Sequence, residues 1–525
     1  MNLMKQWISS RFHILFILYF IANIFLLLNY SGVYWDDWTL VNQNPASILN
    51  IYSQTGFWWM GHFHVFLQSI GNGIYVYRLI GFFSYFFSGI FLYYILDKLN
   101  YFNKRTLYIL VLLFLLAPVN DARVALINTP AILTVFLFYF AFFLLALYMD
   151  SNKKTYNRII ILSIFFITFS LESLLVFYAV VLVYILIKTY QQNPALKKST
   201  ILKIFITRYL DFICLPLLFF GIKQSFFQPH GLYAGYNSLH FDVLNLISLL
   251  GQSFYTSLYE PLKQAINSLY YFFYLMPLIF ILVLMMFKKE DLFESNTKIS
   301  IVTRTSFLIS GVLLFLIAVF PYCAVGKLPH LDNWASRNQI LVPLGMSFLL
   351  YWLIMESALL NKRLANGLLY LVVTSFVVQN LYNHYLYNID WFYQKSLIAQ
   401  FKQSDVFKNN TTFIATDELE RVVWVHKRGL VFYELGGLFK QAFHEDTRLL
   451  VHDISAIKLF SEYSKYPQYN FSHWVPEQPV TIKLQKNNDF ELTLKKQFGL
   501  FYNYIFNTAS FEQNIKNLSK VVTNG

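Results

Sequence analysis

Five residues near the start of the chain, Tyr34-Trp35-Asp36-Asp37-Trp38, carry the densest chemistry in the sequence. Adjacent carboxylates beside an apolar run are costly unless they are solvated or put to use. One of them can take the proton of an acceptor hydroxyl while its neighbour orients it or holds a divalent cation through oxygen ligands. The faces of Trp35 and Trp38 suit stacking on sugar rings, and equally suit anchoring at a membrane interface. An ordinary solvated acidic turn with tryptophan anchors is the competing reading.

Other residues widen the choice. Asp121 and Arg123, in Pro118-Val119-Asn120-Asp121-Ala122-Arg123, add a second acid and a cation, or pair with each other. Glu172 stands between two apolar runs with no adjacent base in sequence, so it either neutralises itself or faces a polar cavity. Within Lys327-Leu328-Pro329-His330-Leu331-Asp332-Asn333-Trp334-Ala335-Ser336-Arg337-Asn338, Lys327, His330 and Arg337 are candidates for gripping a phosphate. Arg337 stands at the entrance of an apolar helix, where fork geometry and helix dipole both favour an anion; a snorkelling interfacial arginine is the alternative. His62 and His64 could ligate a metal, but lack a third ligand nearby.

These residues must be positioned by membrane helices. The chain is 57% hydrophobic and 13% charged, against roughly 25% charged in soluble domains. Its apolar residues fall into runs at about 12–29, 73–96, 107–118, 131–149, 159–170, 172–187, 205–222, 266–287, 305–322, 338–359 and 365–385. Each approaches the length a helix needs to cross about 30 Å of hydrocarbon, which predicts an all-α polytopic membrane protein of about eleven spans. The first run lacks a small-residue cleavage site and reads as an uncleaved span.

The formal charge of +13 is dispersed over short loops, which argues against a nucleic-acid surface and for topology signals. Basic residues cluster at 98–105, 153–158, 188–203, 288–304 and 362–363, in alternate loops that face the cytoplasm. Loops 30–72, 119–130, 223–265 and 323–337 then lie outside. Residues 159–187 read as two short passes meeting at 169–172, since a single tilted helix would separate Arg158 from Lys188. Segment 241–258 reads as an interfacial helix. Two cysteines, Cys214 and Cys323, exclude a disulfide framework and read as small core residues. The boundary falls at 388: residues 1–388 form the membrane domain, and 389–525, with alternating stretches at 411–416 and 480–484, read as a small extracytoplasmic α/β domain.

A first span followed by paired acids, an acid-and-arginine loop after the third span, a Glu in a later hairpin, and a late outer loop running through Ser-Arg toward Leu-Val-Pro-Leu resemble the GT-C superfamily of membrane glycosyltransferases over roughly residues 12–385. That superfamily includes the protein O-mannosyltransferases and the lipid A aminoarabinose transferases. The resemblance implies a polyprenyl-phosphate-linked sugar donor and a glycan, lipid or protein acceptor at the extracytoplasmic face of a bacterial cytoplasmic (inner) membrane. It implies that Asp36 and Asp37 are catalytic, that Asp121 and Glu172 supply the second acid and the cavity, and that Arg337 leads a donor-phosphate site shared with Lys327, His330 and Arg123. Asp37 and Asp121 would be the ligands if a metal (Mg2+ or Mn2+) is used. The alternatives are a flippase or transporter for lipid-linked glycans, which would place charges at mid-membrane in repeated halves, and a polymerase or ligase, which commonly uses arginines in a large late loop.

Overall fold

The computed structural model describes residues 12–71, 73–150, 155–238, 242–287, 301–331, 333–420 and 423–523. Lys5, Arg11, Lys153, Lys154, Lys288, Lys289, Lys298 and Asp332 lie outside the described residues.

The chain is predominantly helical. Gly73–Lys98, Leu126–Asp150, Ser173–Gln192, Thr303–Cys323, Val342–Leu360 and Lys362–Gln403 are each long and apolar enough to cross a bilayer. Two bent pairs, Lys198–Arg208 with Leu210–Phe226 (51°) and Val243–Tyr271 with Met276–Met285 (112°), raise the number among the described residues from six to eight if each is one span. The run at 107–118 belongs to Lys104–Leu116, whose 13 residues rise only about 20 Å. Phe12–Leu28 and Asn157–Thr168 are likewise short apolar helices. The run at 266–287 is divided by the sharp bend after Tyr271, and the helix beginning at Val243 continues through a π turn at Tyr255–Tyr259 to Tyr271 instead of stopping near 258.

Helix starts follow local chemistry. The Asn103 side chain accepts from Thr106 N at 2.8 Å and opens Lys104–Leu116, while Asn44, followed by Pro45, opens Pro45–Gln54 in the same way. Lys104–Leu116 is apolar all round and buried along its length from Thr106 onward, as the central helix of a bundle must be. Cys323 is buried near Ser253, whereas Cys214 is exposed on the bundle surface.

The bundle has two chemically distinct ends. At one, Asp150 pairs with Lys98 (3.2 Å) and Lys188 (2.8 Å), Lys104 with Asp97 (2.5 Å), and Arg304 with Glu356 (2.8 Å). Arg158 binds Asp211 and also reaches Tyr148, two residues from Asp150. Arg158 and Lys188 therefore share that end, and the chain turns back between them at 169–172, where helix Thr155–Thr168 stops and Ser173 starts the next. The turns carrying Asp36, Asp121 and Arg337, and the last turn of helix Leu210–Phe226 with Lys223, gather at the other end.

Lys362–Gln403 is a single 42-residue helix that runs past residue 388 without a break and carries the bundle into the C-terminal region. Four strands there, β1 (Thr412–Asp417), β2 (Leu449–Val451), β3 (Val480–Lys486) and β4 (Ser519–Thr523), form one sheet in the order β2-β1-β3-β4. β1 runs parallel to both β2 and β3, and β4 is antiparallel to β3. Helix Phe432–Phe443 makes the crossover from β1 to β2. Phe413, Phe439 and Ile482 of this region share one apolar core with Leu26, Tyr34, Trp38, Tyr387 and Trp391, so the sheet layer and this end of the bundle are packed as one body.

Candidate functional site

The acid motif folds as a tight 3₁₀ turn, Trp35–Thr39, directly after the first helix. Trp35 takes a left-handed backbone (φ 48°), a conformation that costs a bulky residue of order 1–3 kcal/mol and persists only where the surroundings hold it. Here the Trp35 N–H donates to Glu434 Oε2 at 3.2 Å. Glu434 is in turn held by Arg428 through Nη1 at 2.8 and 2.7 Å, and Arg428 also reaches Asp390 at 3.2 Å. All three charged groups are buried. Burial pushes the Glu434 carboxyl up while Arg428 draws it back; burial lowers Arg428, but its two carboxylate partners more than offset this and hold it above its ordinary value.

The two acids of the turn have separate environments. Asp37 is fully buried; Oδ1 accepts from Ile127 N at 2.9 Å and Oδ2 from Tyr34 N at 3.2 Å. Burial pushes its carboxyl up to about 7, against the pull of these backbone N–H groups, of Leu126 and of Arg78. Its oxygens staple the loop after helix Phe12–Leu28 to the loop after Lys104–Leu116. Asp36 is only partly covered. Its Oδ1 accepts from Tyr433 OH at 2.5 Å, and burial raises it above the usual carboxylate range while Tyr433 and the Arg337 charge restrain the rise. Of the pair, Asp36 is the acid a ligand can reach.

Arg337 lies on a second 3₁₀ turn, Asn333–Gln339, ahead of helix Val342–Leu360. The Ser336 hydroxyl accepts from Ala122 N at 2.8 Å, and Gln339 binds Ser257 at 2.8 Å, locking this turn to its neighbours. The guanidinium stacks over Trp334 at 4.3 Å and reaches Tyr236 OH at 3.5 Å. Lys327 donates to Asn237 Oδ1 at 2.5 Å and lies 4.1 Å over the Tyr236 ring. A cavity of about 400 Å³ opens here, lined by Lys327, His330, Trp334 and Arg337. Trp35 packs on Trp334 at 5.7 Å, so the acid turn and the cation turn meet edge to edge.

Of the residues singled out in the sequence, Lys327, His330 and Arg337 thus line one cavity, and Asp36 stands on the adjoining turn, within reach of the Arg337 charge. Others go elsewhere. Arg123 turns into the bundle, donating to Asn380 Oδ1 at 2.6 Å and meeting His384, so it does not join Lys327, His330 and Arg337 at the cavity. Asp121 is buried and accepts from Asn383 at 2.8 Å. Both Asp37 oxygens accept backbone N–H groups, and among the described residues no three His, Cys, Asp or Glu side chains converge as ligands. Glu172 has a base after all: Lys223, from a helix distant in sequence, forms an ion pair with it. Trp38 offers no face for stacking, being buried against Trp391 and against Gly437, where an added Cβ would come within 2.2 Å of its ring. Trp35 is similarly enclosed by Trp334, Tyr387 and the Arg428 guanidinium. His64 is buried between Tyr52 and Tyr77, its Nδ1 2.7 Å from Tyr77 OH and its pKa pushed down to about 3 by burial, while His62 is exposed; they form no ligand pair.

Sequence reasoning missed Tyr433, Glu434 and Arg428, which support the acid turn from about 400 residues away. No spacing marks them. Trp334, the aromatic that does line the cavity, stands between two residues the sequence had flagged.

No family model, curated protein or solved structure matches the chain.

Proposed function

We propose that this chain is a membrane glycosyltransferase that moves a sugar from a polyprenyl-phosphate-linked donor to a hydroxyl acceptor at the extracytoplasmic face of a cell-envelope membrane. One observation carries the reading: the turn that bears the part-buried Asp36 packs through Trp35 on Trp334, at 5.7 Å, beside a cavity lined by Lys327, His330 and Arg337. A base and an anion grip side by side at the end of a membrane bundle match a reaction whose leaving group is an ionised phosphate and whose acceptor must lose a proton.

In this reading Asp36 takes the proton as the acceptor oxygen bonds to the anomeric carbon. The carbon–oxygen bond to phosphate breaks, and its electron pair leaves with the polyprenyl phosphate, held by Arg337 and Lys327. Attack opposite the leaving group inverts the anomeric centre. Asp37 keeps the turn in shape. The C-terminal α/β region, taken as extracytoplasmic, sets Asp36 through Tyr433 and the Trp35 backbone through Glu434. The end rich in lysine and arginine faces the cytoplasm.

Binding of a polyprenyl phosphate to the purified chain, followed by native mass spectrometry, tests the anion grip. Arg337→Ala and Lys327→Ala are expected to weaken binding while an uncharged polyprenol binds no better to wild type than to either variant. Equal affinity of wild type and both variants for the phosphate would overturn the assignment.

A further inference from the structure

Helix Leu494–Phe506 presents two apolar faces, only one of which is covered. Leu500, Phe501 and Tyr504 are buried against the body of the protein. Leu494, Phe498, Tyr502 and Phe506, spaced four apart and therefore on one stripe, are 54%, 70%, 62% and 71% exposed. Lys495 and Lys496 flank that stripe and are also exposed. A soluble surface seldom carries such a row of large apolar groups.

The covered face fixes the depth of this helix relative to the spans. Phe501 packs on Phe25 at 5.4 Å and on Tyr385 at 5.7 Å; Tyr504 stacks on Tyr30 at 4.4 Å. Phe25 is in the last turn of helix Phe12–Leu28, roughly 5 Å along the axis from its end. The helix thus lies beside the point where the first apolar helix stops, the depth at which amphipathic helices settle between headgroups and acyl chains. A second set of exposed aromatics, Tyr270, Phe273 and Tyr274, surrounds the bend after Tyr271, and Phe272 of that bend touches the same Tyr385 at 5.5 Å. Two segments far apart in sequence so present aromatic groups at one level, the arrangement of an interfacial belt.

We infer that Leu494–Phe506 is an interfacial anchor whose Leu494, Phe498, Tyr502 and Phe506 insert into the lipid surface on the side of the acid turn, with Lys495 and Lys496 at the headgroups. It seats the sheet region on the membrane, and this holds whatever reaction the cavity supports.

The test uses the full chain in vesicles of phosphatidylcholine and phosphatidylglycerol. Phe498→Cys and Tyr502→Cys are made in a Cys214→Ser, Cys323→Ser background and labelled with an environment-sensitive fluorophore. Ile454→Cys, on an exposed turn after the β2 edge of the sheet, is the water-facing control. Quenching of the 498 and 502 labels by a lipid carrying a nitroxide near its headgroup, with loss of the iodide quenching seen at 454, is the expected result. Iodide quenching at 498 and 502 equal to that at 454 would overturn the inference. So would protection from both quenchers that disappears on dilution of protein in the vesicles, which would mean that a second copy of the chain covers the stripe.

Discussion

The two ends of the helical bundle treat charge in opposite ways. At the end bearing Lys98, Lys104, Asp150, Arg158, Lys188 and Arg304, cations and carboxylates neutralise one another in direct ion pairs. At the acid-turn end ion pairs also occur, Glu172 with Lys223 and Arg428 with Asp390 and Glu434, but the charged groups at the cavity and on the turn beside it are held by neutral ones: Asp36 by a tyrosine hydroxyl, Asp37 by backbone N–H groups, Lys327 by an amide oxygen, Arg337 by a tyrosine hydroxyl and an indole face. A neutral partner fixes the position of a charge without cancelling it. The first end reads as topology and packing, the second as electrostatics kept for a ligand.

Substitutions should affect the two ends unequally. Asp36→Asn is expected to lower sugar transfer by about a hundred- to ten-thousandfold, the span associated with a general base, with an unchanged melting temperature. Arg337→Ala should weaken use of a phosphate-linked donor by about 2 kcal/mol, seen mainly as a raised KM, because one charge-assisted contact is lost. Asp37→Asn should act on stability: one of the two hydrogen-bonded backbone N–H groups then faces an amide donor, a loss of about 1–3 kcal/mol measurable as a lowered melting temperature in detergent.

The same residue gives a pH signature. The folded state holds the Asp37 proton more tightly than the unfolded chain does, with a pKa of about 7 against 3.8, so its favourable contribution is full below pH 3.8 and is lost as pH rises through 7. Melting temperatures taken from pH 5 to pH 8 should fall less steeply in Asp37→Asn than in wild type. Tyr433→Phe removes a hydrogen bond that lowers the Asp36 pKa, so the acidic limb of the transfer rate should move to higher pH. At the other end, Asp150→Asn should change stability by about 1 kcal/mol or less and leave transfer unaltered, as partly exposed pairs do. A large activity loss in Asp150→Asn would erase the contrast between the ends.

Much of this contrast could be read before any coordinates. Run lengths indicated a helical membrane protein, and alternate basic loops separated the two ends, because both signals are local. Run length alone does not show where an apolar run is short or broken: among the described residues six helices, or eight with the two bent pairs, are long and apolar enough to span, because Lys104–Leu116 is apolar but short and the bend after Tyr271 interrupts a continuous apolar run. Within the site, Asp36 and Arg337 stood out by residue type beside apolar runs. The different fates of Asp36 and Asp37 did not, since neighbouring residues on a tight turn point in different directions and only the packing of Ile127 and Tyr433 shows which carboxylate is consumed by structure. Arg123 and Trp38 were misjudged likewise, because their partners Asn380 and Gly437 come from distant elements. The support of the acid turn by Arg428 and Glu434 is a long-range contact that no local pattern encodes.

The central claim, that Asp36 is the reactive acid and Asp37 its structural neighbour, is tested most directly by comparing Asp36→Asn with Asp37→Asn in native membranes supplied with a labelled polyprenyl-phosphate hexose. The expected result is loss of label transfer in Asp36→Asn at wild-type melting temperature, and transfer in Asp37→Asn that tracks the amount of folded protein. Wild-type transfer by Asp36→Asn would contradict the account.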